Sequence, residues 1–81
     1  MKDMLTVAIN SPEKVIWEGR ALSVTSANSK GTFDVLPHHA NFITIIENKP
    51  IIIQTGTRAL TYTFPICLMY ARDNYVYAYT L

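Results

Sequence analysis

Two adjacent histidines, one cysteine and a stripe of tyrosines are the side chains through which this 81-residue chain could do chemistry. A histidine pair can hold a transition metal or move protons, but a metal site needs further ligands at set spacing. His38 and His39 are the chain's two histidines, and no cysteine or carboxylate stands at metal-ligand spacing from them. Neighbours on an extended chain also point to opposite sides. The pair therefore reads as part of a loop, with no metal expected. Cys67 lies in the apolar run Ile66-Cys67-Leu68-Met69. A reactive thiol needs an exposed, electropositive setting, so this one reads as a small buried hydrophobe. A single cysteine forms no internal disulfide. Gly19, Gly31 and Gly56 are too far apart to build a phosphate-cradling loop, and no G-x-S-x-G elbow occurs. No catalytic residue and no cofactor are expected, and the chain does not read as an enzyme.

Tyr75, Tyr77 and Tyr79 share one face of a strand, with Tyr62 and Tyr70 nearby. Such a stripe can stack the bases of single-stranded nucleic acid on a small β-barrel. It can equally be a packed aromatic face whose hydroxyls reach the rim. Stacking platforms come with a basic groove. Here seven scattered cations oppose six carboxylates, for a net charge of +1, and that favours the packed face.

The elements that position these residues read as strands. Val, Ile, Thr, Tyr, Phe and Trp make up 32 of the 81 residues, and these types suit a pleated sheet. Leu5, Val7 and Ile9 alternate with smaller or polar residues, as do Leu22 and Val24, and Leu60, Tyr62 and Phe64. Turn signals fall at Asn10–Glu13, Glu47–Pro50, Gly56 and Arg72–Asn74. Gly19 closes a short strand at Val15–Glu18. Ala27–Thr32 is the most polar run and reads as an exposed loop. The segment 37–41 reads as a tight turn or a single helical turn. Ile51-Ile52-Ile53 reads as a strand buried on both sides. The spacing predicts about nine to ten short strands in one small antiparallel β-sandwich, or flattened barrel, of two packed sheets. Leu5, Val7, Leu22, Val24, Ile43, Ile45 and Ile52 are expected to face its core.

Hydrophobic residues make up 49% and charged residues 16%, which excludes a disordered chain. The length allows one domain, residues 1–81. Residues 1–5 lack the apolar core of a signal peptide, and the longest mostly apolar stretch, 59–71, is too short to span a bilayer. Any membrane association is expected to be indirect.

A longer pattern reaches function. Ser11-Pro12-Glu13-Lys14-Val15, then Trp17-Glu18-Gly19, then the run from Ser29 to Ala40 with Leu36-Pro37-His38-His39-Ala40 at its end, resembles the epsilon subunit of F-type ATP synthases. The resemblance covers essentially the whole chain and implies the family's N-terminal β-sandwich, without the helical hairpin that follows it in the family. It implies a non-catalytic central-stalk subunit of a proton- or sodium-translocating synthase. Such a subunit docks the gamma subunit and the membrane rotor ring of c subunits and couples ion flow to ATP synthesis. It would lie at the cytoplasmic face of a bacterial inner membrane. Carried across by position, Ser29, Lys30, Gly31 and Thr32 match the tip that faces the ring, and Ser11, His39 and Thr44 match positions on the gamma side. No nucleic acid is implied as a partner. The family often has an acidic residue where Thr32 stands, and glycine where Asp34 and His38 stand. Asp and His tolerate left-handed backbone angles better than most residues. Pro65, in place of glycines common in the family, implies an edge position or a bulge.

Overall fold

Alternating branched and polar residues fold the chain into nine strands in a computed structural model that describes residues 3–38 and 41–81. The strands are β1 (Leu5–Asn10), β2 (Val15–Ala21), β3 (Ser23–Asn28), β4 (Gly31–Val35), β5 (Phe42–Ile46), β6 (Pro50–Gln54), β7 (Ala59–Thr63), β8 (Cys67–Arg72) and β9 (Tyr75–Thr80). They form a five-stranded sheet in the order β2-β1-β9-β8-β5 and a four-stranded sheet in the order β4-β3-β6-β7. The all-β sandwich expected from the sequence is present. One pair departs from the antiparallel expectation: β1 and β9 run parallel, Val7 opposite Val76 and Ile9 opposite Ala78. These are the first and last strands, so no hairpin between them imposes opposite directions.

Local chemistry sets the turns. Asp73 and Asn74 both take positive φ, 50° and 66°, and close the two-residue β8–β9 hairpin. Such turns need left-handed angles at both positions, which Asp and Asn supply. The polar run 27–32 is not a free loop. The β3–β4 ladder continues to Asn28 opposite Gly31, leaving Ser29 and Lys30 as the turn, with Gly31 at φ 123°. Gly19 does not end β2 but lies inside it, paired with Val7. Pro65 is neither on an edge nor in a bulge; it sits in the β7–β8 connection, where the Asn48 N–H donates to the Phe64 and Pro65 carbonyls. In the segment 37–41, Pro37 and His38 form a turn.

The core lies between the sheets and contains Leu5, Val7, Ile9, Val24, Val35, Ile46, Ile51, Ile53, Met69 and Val76. Leu5, Val7 and Val24 were expected there; four other expectations fail. Ile43 and Ile45 are 61% and 56% exposed. Thr44 and Ile46 pair with inward Met69 and Cys67, and a period of two then turns Ile43 and Ile45 outward. Ile52 is only half-buried because β6 is buried on one face, through Ile51 and Ile53. Leu22 is half-buried at the joint where the chain leaves one sheet for the other, its N–H donating to the Gln54 carbonyl at 2.7 Å. The buried polar residues are satisfied: the Ser26 hydroxyl donates to the Pro50 carbonyl at 2.9 Å and the Thr80 hydroxyl to the Ile66 carbonyl at 3.2 Å.

Candidate docking surfaces

The β3–β4 tip is rigid at its base and open at its end. Asn28 Oδ1 accepts the Lys30 N–H at 2.8 Å, a local turn that competes well with extended backbone. Asn28 Nδ2 donates to Thr44 Oγ1 at 3.0 Å and so ties the tip to β5 in the opposite sheet. Ser29, Lys30, Gly31 and Thr32 are all exposed, and nothing lies within 4 Å of where a Gly31 Cβ would stand. Sequence reasoning missed Asn28. The Asn-x-x-Gly spacing signals its turn, but nothing local signals its bond to Thr44.

Of the positions matched to the gamma side, Ser11 and Thr44 are described, and His39 lies outside the described residues. Ser11 organises the β1–β2 turn: its N–H and hydroxyl donate to the Lys14 carbonyl at 2.9 and 3.2 Å, and its Oγ accepts the Lys14 N–H. Thr44 sits on the edge strand β5. The register runs Thr44–Met69–Ala78–Ile9 across four strands, so Thr44 lies about 14 Å from Ile9, with Ser11 further along. The structure does not bring Ser11 and Thr44 together. His38 marks the far end of the sheet. At φ 63° it takes the left-handed angle that glycine would. Its backbone N–H donates to Asn74 Oδ1 at 2.7 Å, and its Nε2 lies 2.8 Å from Asp3 Oδ2. Asp34 needs no such angle: it is extended, and its carboxylate accepts the Thr25 hydroxyl across the ladder.

The two outer faces differ in chemistry. The four-stranded sheet shows solvent Thr25, Thr32, Asp34, Thr61 and Thr63. The five-stranded sheet shows Ile43 and Ile45 beside Tyr70 and Leu68, and these beside Tyr77 and Tyr79. Tyr77 stacks with Tyr70, Tyr75 and Tyr79 at centroid distances of 6.5, 5.9 and 6.5 Å. Arg72 borders this ladder, and its guanidinium is held up in pKa first by the Tyr70 hydroxyl and then by Asp73. Cys67 is fully buried, and burial pushes its thiol up, partly offset by a backbone hydrogen bond at Tyr79. Among the described residues, no group of three or more His, Cys, Asp and Glu could hold a metal ion.

Comparison with known proteins gives these surfaces a family. A family model described as ATP synthase, Delta/Epsilon chain, beta-sandwich domain matches residues 4–64. The ATP synthase epsilon chain of Sulfurimonas denitrificans is 42% identical over 56 residues, covering 69% of this chain and 43% of that one. The ATP synthase epsilon chain of Leptospira borgpetersenii is 28% identical over 72 residues, covering 89% of this chain and 57% of its own length. This chain thus spans about half the length of those relatives. A chain in the cryo-EM structure of the Euglena gracilis mitochondrial ATP synthase superposes with a TM-score of 0.86 at 12% identity, over 95% of this chain and 50% of that one. One from the central stalk and ring of the Tetrahymena thermophila mitochondrial enzyme gives 0.78 at 10%, over 99% and 65%. At such identities these two matches establish the fold.

Proposed function

The chain belongs to the ATP synthase delta/epsilon β-sandwich family, and from that premise we propose that it is a non-catalytic rotor subunit of a proton- or sodium-translocating ATP synthase. It docks the gamma subunit and the c-subunit ring at the cytoplasmic face of a bacterial inner membrane, and it transmits torque without chemistry of its own. The match of the family model over residues 4–64 carries this reading. The geometry supports it. The exposed tip Ser29–Thr32 is the segment assigned to the ring, and Asn28 braces it on Thr44, assigned with Ser11 and His39 to the gamma side. A tip fixed to the partner-facing strand passes a lateral load into the sandwich rather than bending.

A pull-down against the cognate gamma subunit tests the first contact, and retention of gamma is the expected result. In the assembled complex, a Thr32→Cys variant should crosslink to a cysteine placed in the ring's polar loop. A control pair that reacts while Thr32→Cys does not would count against the ring assignment. The stacked tyrosines favour one rival, a platform for single-stranded nucleic acid. Tight oligonucleotide binding that weakens steeply with salt, without affinity for gamma, would establish that rival instead.

A further inference from the structure

β5 is the end strand of its sheet and pairs with β8 alone. One antiparallel neighbour satisfies half of a strand's backbone donors and acceptors. No residue of Phe42–Ile46 makes another backbone hydrogen bond among the described residues. Open edges of this kind invite another strand, and most proteins blunt them with charge. β2 carries Glu18 and Arg20, and β4 carries Asp34, whereas β5 carries no charge at all. The edge strand β7 is also uncharged, but its outer face is Ala59, Thr61 and Thr63, without a large apolar side chain. β5 differs in its surroundings. A groove of about 830 Å³ lies beside it, lined by Asn28, Ser29 and Lys30 of the tip and by exposed Ile43, Ile45 and Leu68. Lys30, Lys49 and Glu47 line the groove as well, leaving one excess positive charge.

We propose that β5 accepts an extended segment of the gamma-type shaft partner as a sixth strand of the five-stranded sheet; this rests on the docking reading above. The open ladder specifies an extended backbone, because no helix offers donors and acceptors at strand spacing. The exposed Ile43, Ile45 and Leu68 specify apolar side chains at alternate positions of the incoming strand. The lysine excess of the lining favours an acidic residue on the incoming strand. The bond from Asn28 to Thr44 links β5, and so strand addition, to the tip.

Amide-resolved hydrogen exchange on this chain, alone and bound to the cognate gamma subunit, tests the proposal. Alternate β5 amides should exchange fast in the free chain and slow by about a hundredfold or more in the complex, with β7 unchanged. Ile45→Lys should weaken gamma binding by about tenfold or more while the far-ultraviolet circular dichroism stays native, and Thr61→Lys on β7 should not weaken it. Gamma bound with β5 exchange unaltered would overturn strand addition and leave the docking reading standing. Failure of the wild-type chain to bind gamma would overturn both. A gamma-independent dimer with β5 protected would assign the edge to a second copy and overturn the partner named here.

Discussion

Trp17 packs against Gly19, and an added Cβ at Gly19 would stand 2.8 Å from the indole Cζ2. The ring is large and packed against the core, so it can yield only by giving up buried contact. Gly19→Ala should therefore lower stability by about 1–3 kcal/mol, the usual range for overpacking, with a red shift in tryptophan emission as the ring swings out. Unchanged denaturation midpoint and emission would show that the ring has room. Cys67 gives a second test at this scale. A buried neutral thiol should resist maleimide in the folded protein and react at once in denaturant. The unfolded thiol ionises near about pH 8.5 while the folded one holds its proton longer, so Cys67 favours the folded state below that pH and loses this contribution as pH rises through the alkaline range. Replacing Cys67 by Ala should flatten that alkaline decline. Burial of Cys67 was legible because every neighbour in its run is apolar. The bond from Asn28 to Thr44 was not, since it joins residues 16 apart through a packing of sheets that no local pattern encodes.

At the scale of elements, strand existence was readable and strand parity was not. Turn residues and β-branched runs locate all nine strands within a few residues. Which of two alternating sets faces inward can be read only where one set is polar. On β1 Thr6 and Asn10 are polar and Ala8 between them is small, so Leu5, Val7 and Ile9 are left as the core set. On β5 the inward set is Phe42, Thr44 and Ile46 and the outward set is Ile43 and Ile45, so the one polar residue lies within and polarity points the wrong way. The outward isoleucines stand where a partner is proposed, so the ambiguity of parity falls on the proposed docking surface. Mutagenesis separates the two sets. Ile43→Lys should change the stability of the isolated domain by no more than about 0.5 kcal/mol, since the side chain is already mostly in water. Ile51→Ala and Ile53→Ala should each cost about 2–5 kcal/mol, because both side chains are fully buried and leave cavities. Urea denaturation of the three variants reads both outcomes, and equal losses at Ile43 and Ile51 would refute the register of the sandwich.

Considered whole, the molecule depends on its last strand more than on any other. β9 lies in the middle of the five-stranded sheet, between β1 and β8, and joins the two ends of the chain. It sends Val76, Ala78 and Thr80 into the core and presents Tyr75, Tyr77 and Tyr79 on the outer face. Without it β1 and β2 lose their contact with β8 and β5, and the sheet separates into two pairs, each too small to be stable in water. The family model ends its match at residue 64, short of β8 and β9, yet the sandwich cannot close without them. A single domain of this size has little stability in reserve, about 5–10 kcal/mol at most, and the loss of a central strand exceeds it. Ending the chain at Asn74 should therefore abolish the cooperative thermal transition and the native tyrosine ellipticity. Deleting Leu81 alone, which is 93% exposed, should leave the melting temperature within a degree or two. If the chain shortened to Asn74 still melts cooperatively, β9 is not the strand that unites the two halves of the sheet. If the loss of Leu81 alone unfolds the domain, the end of the chain carries contacts beyond those described for β9.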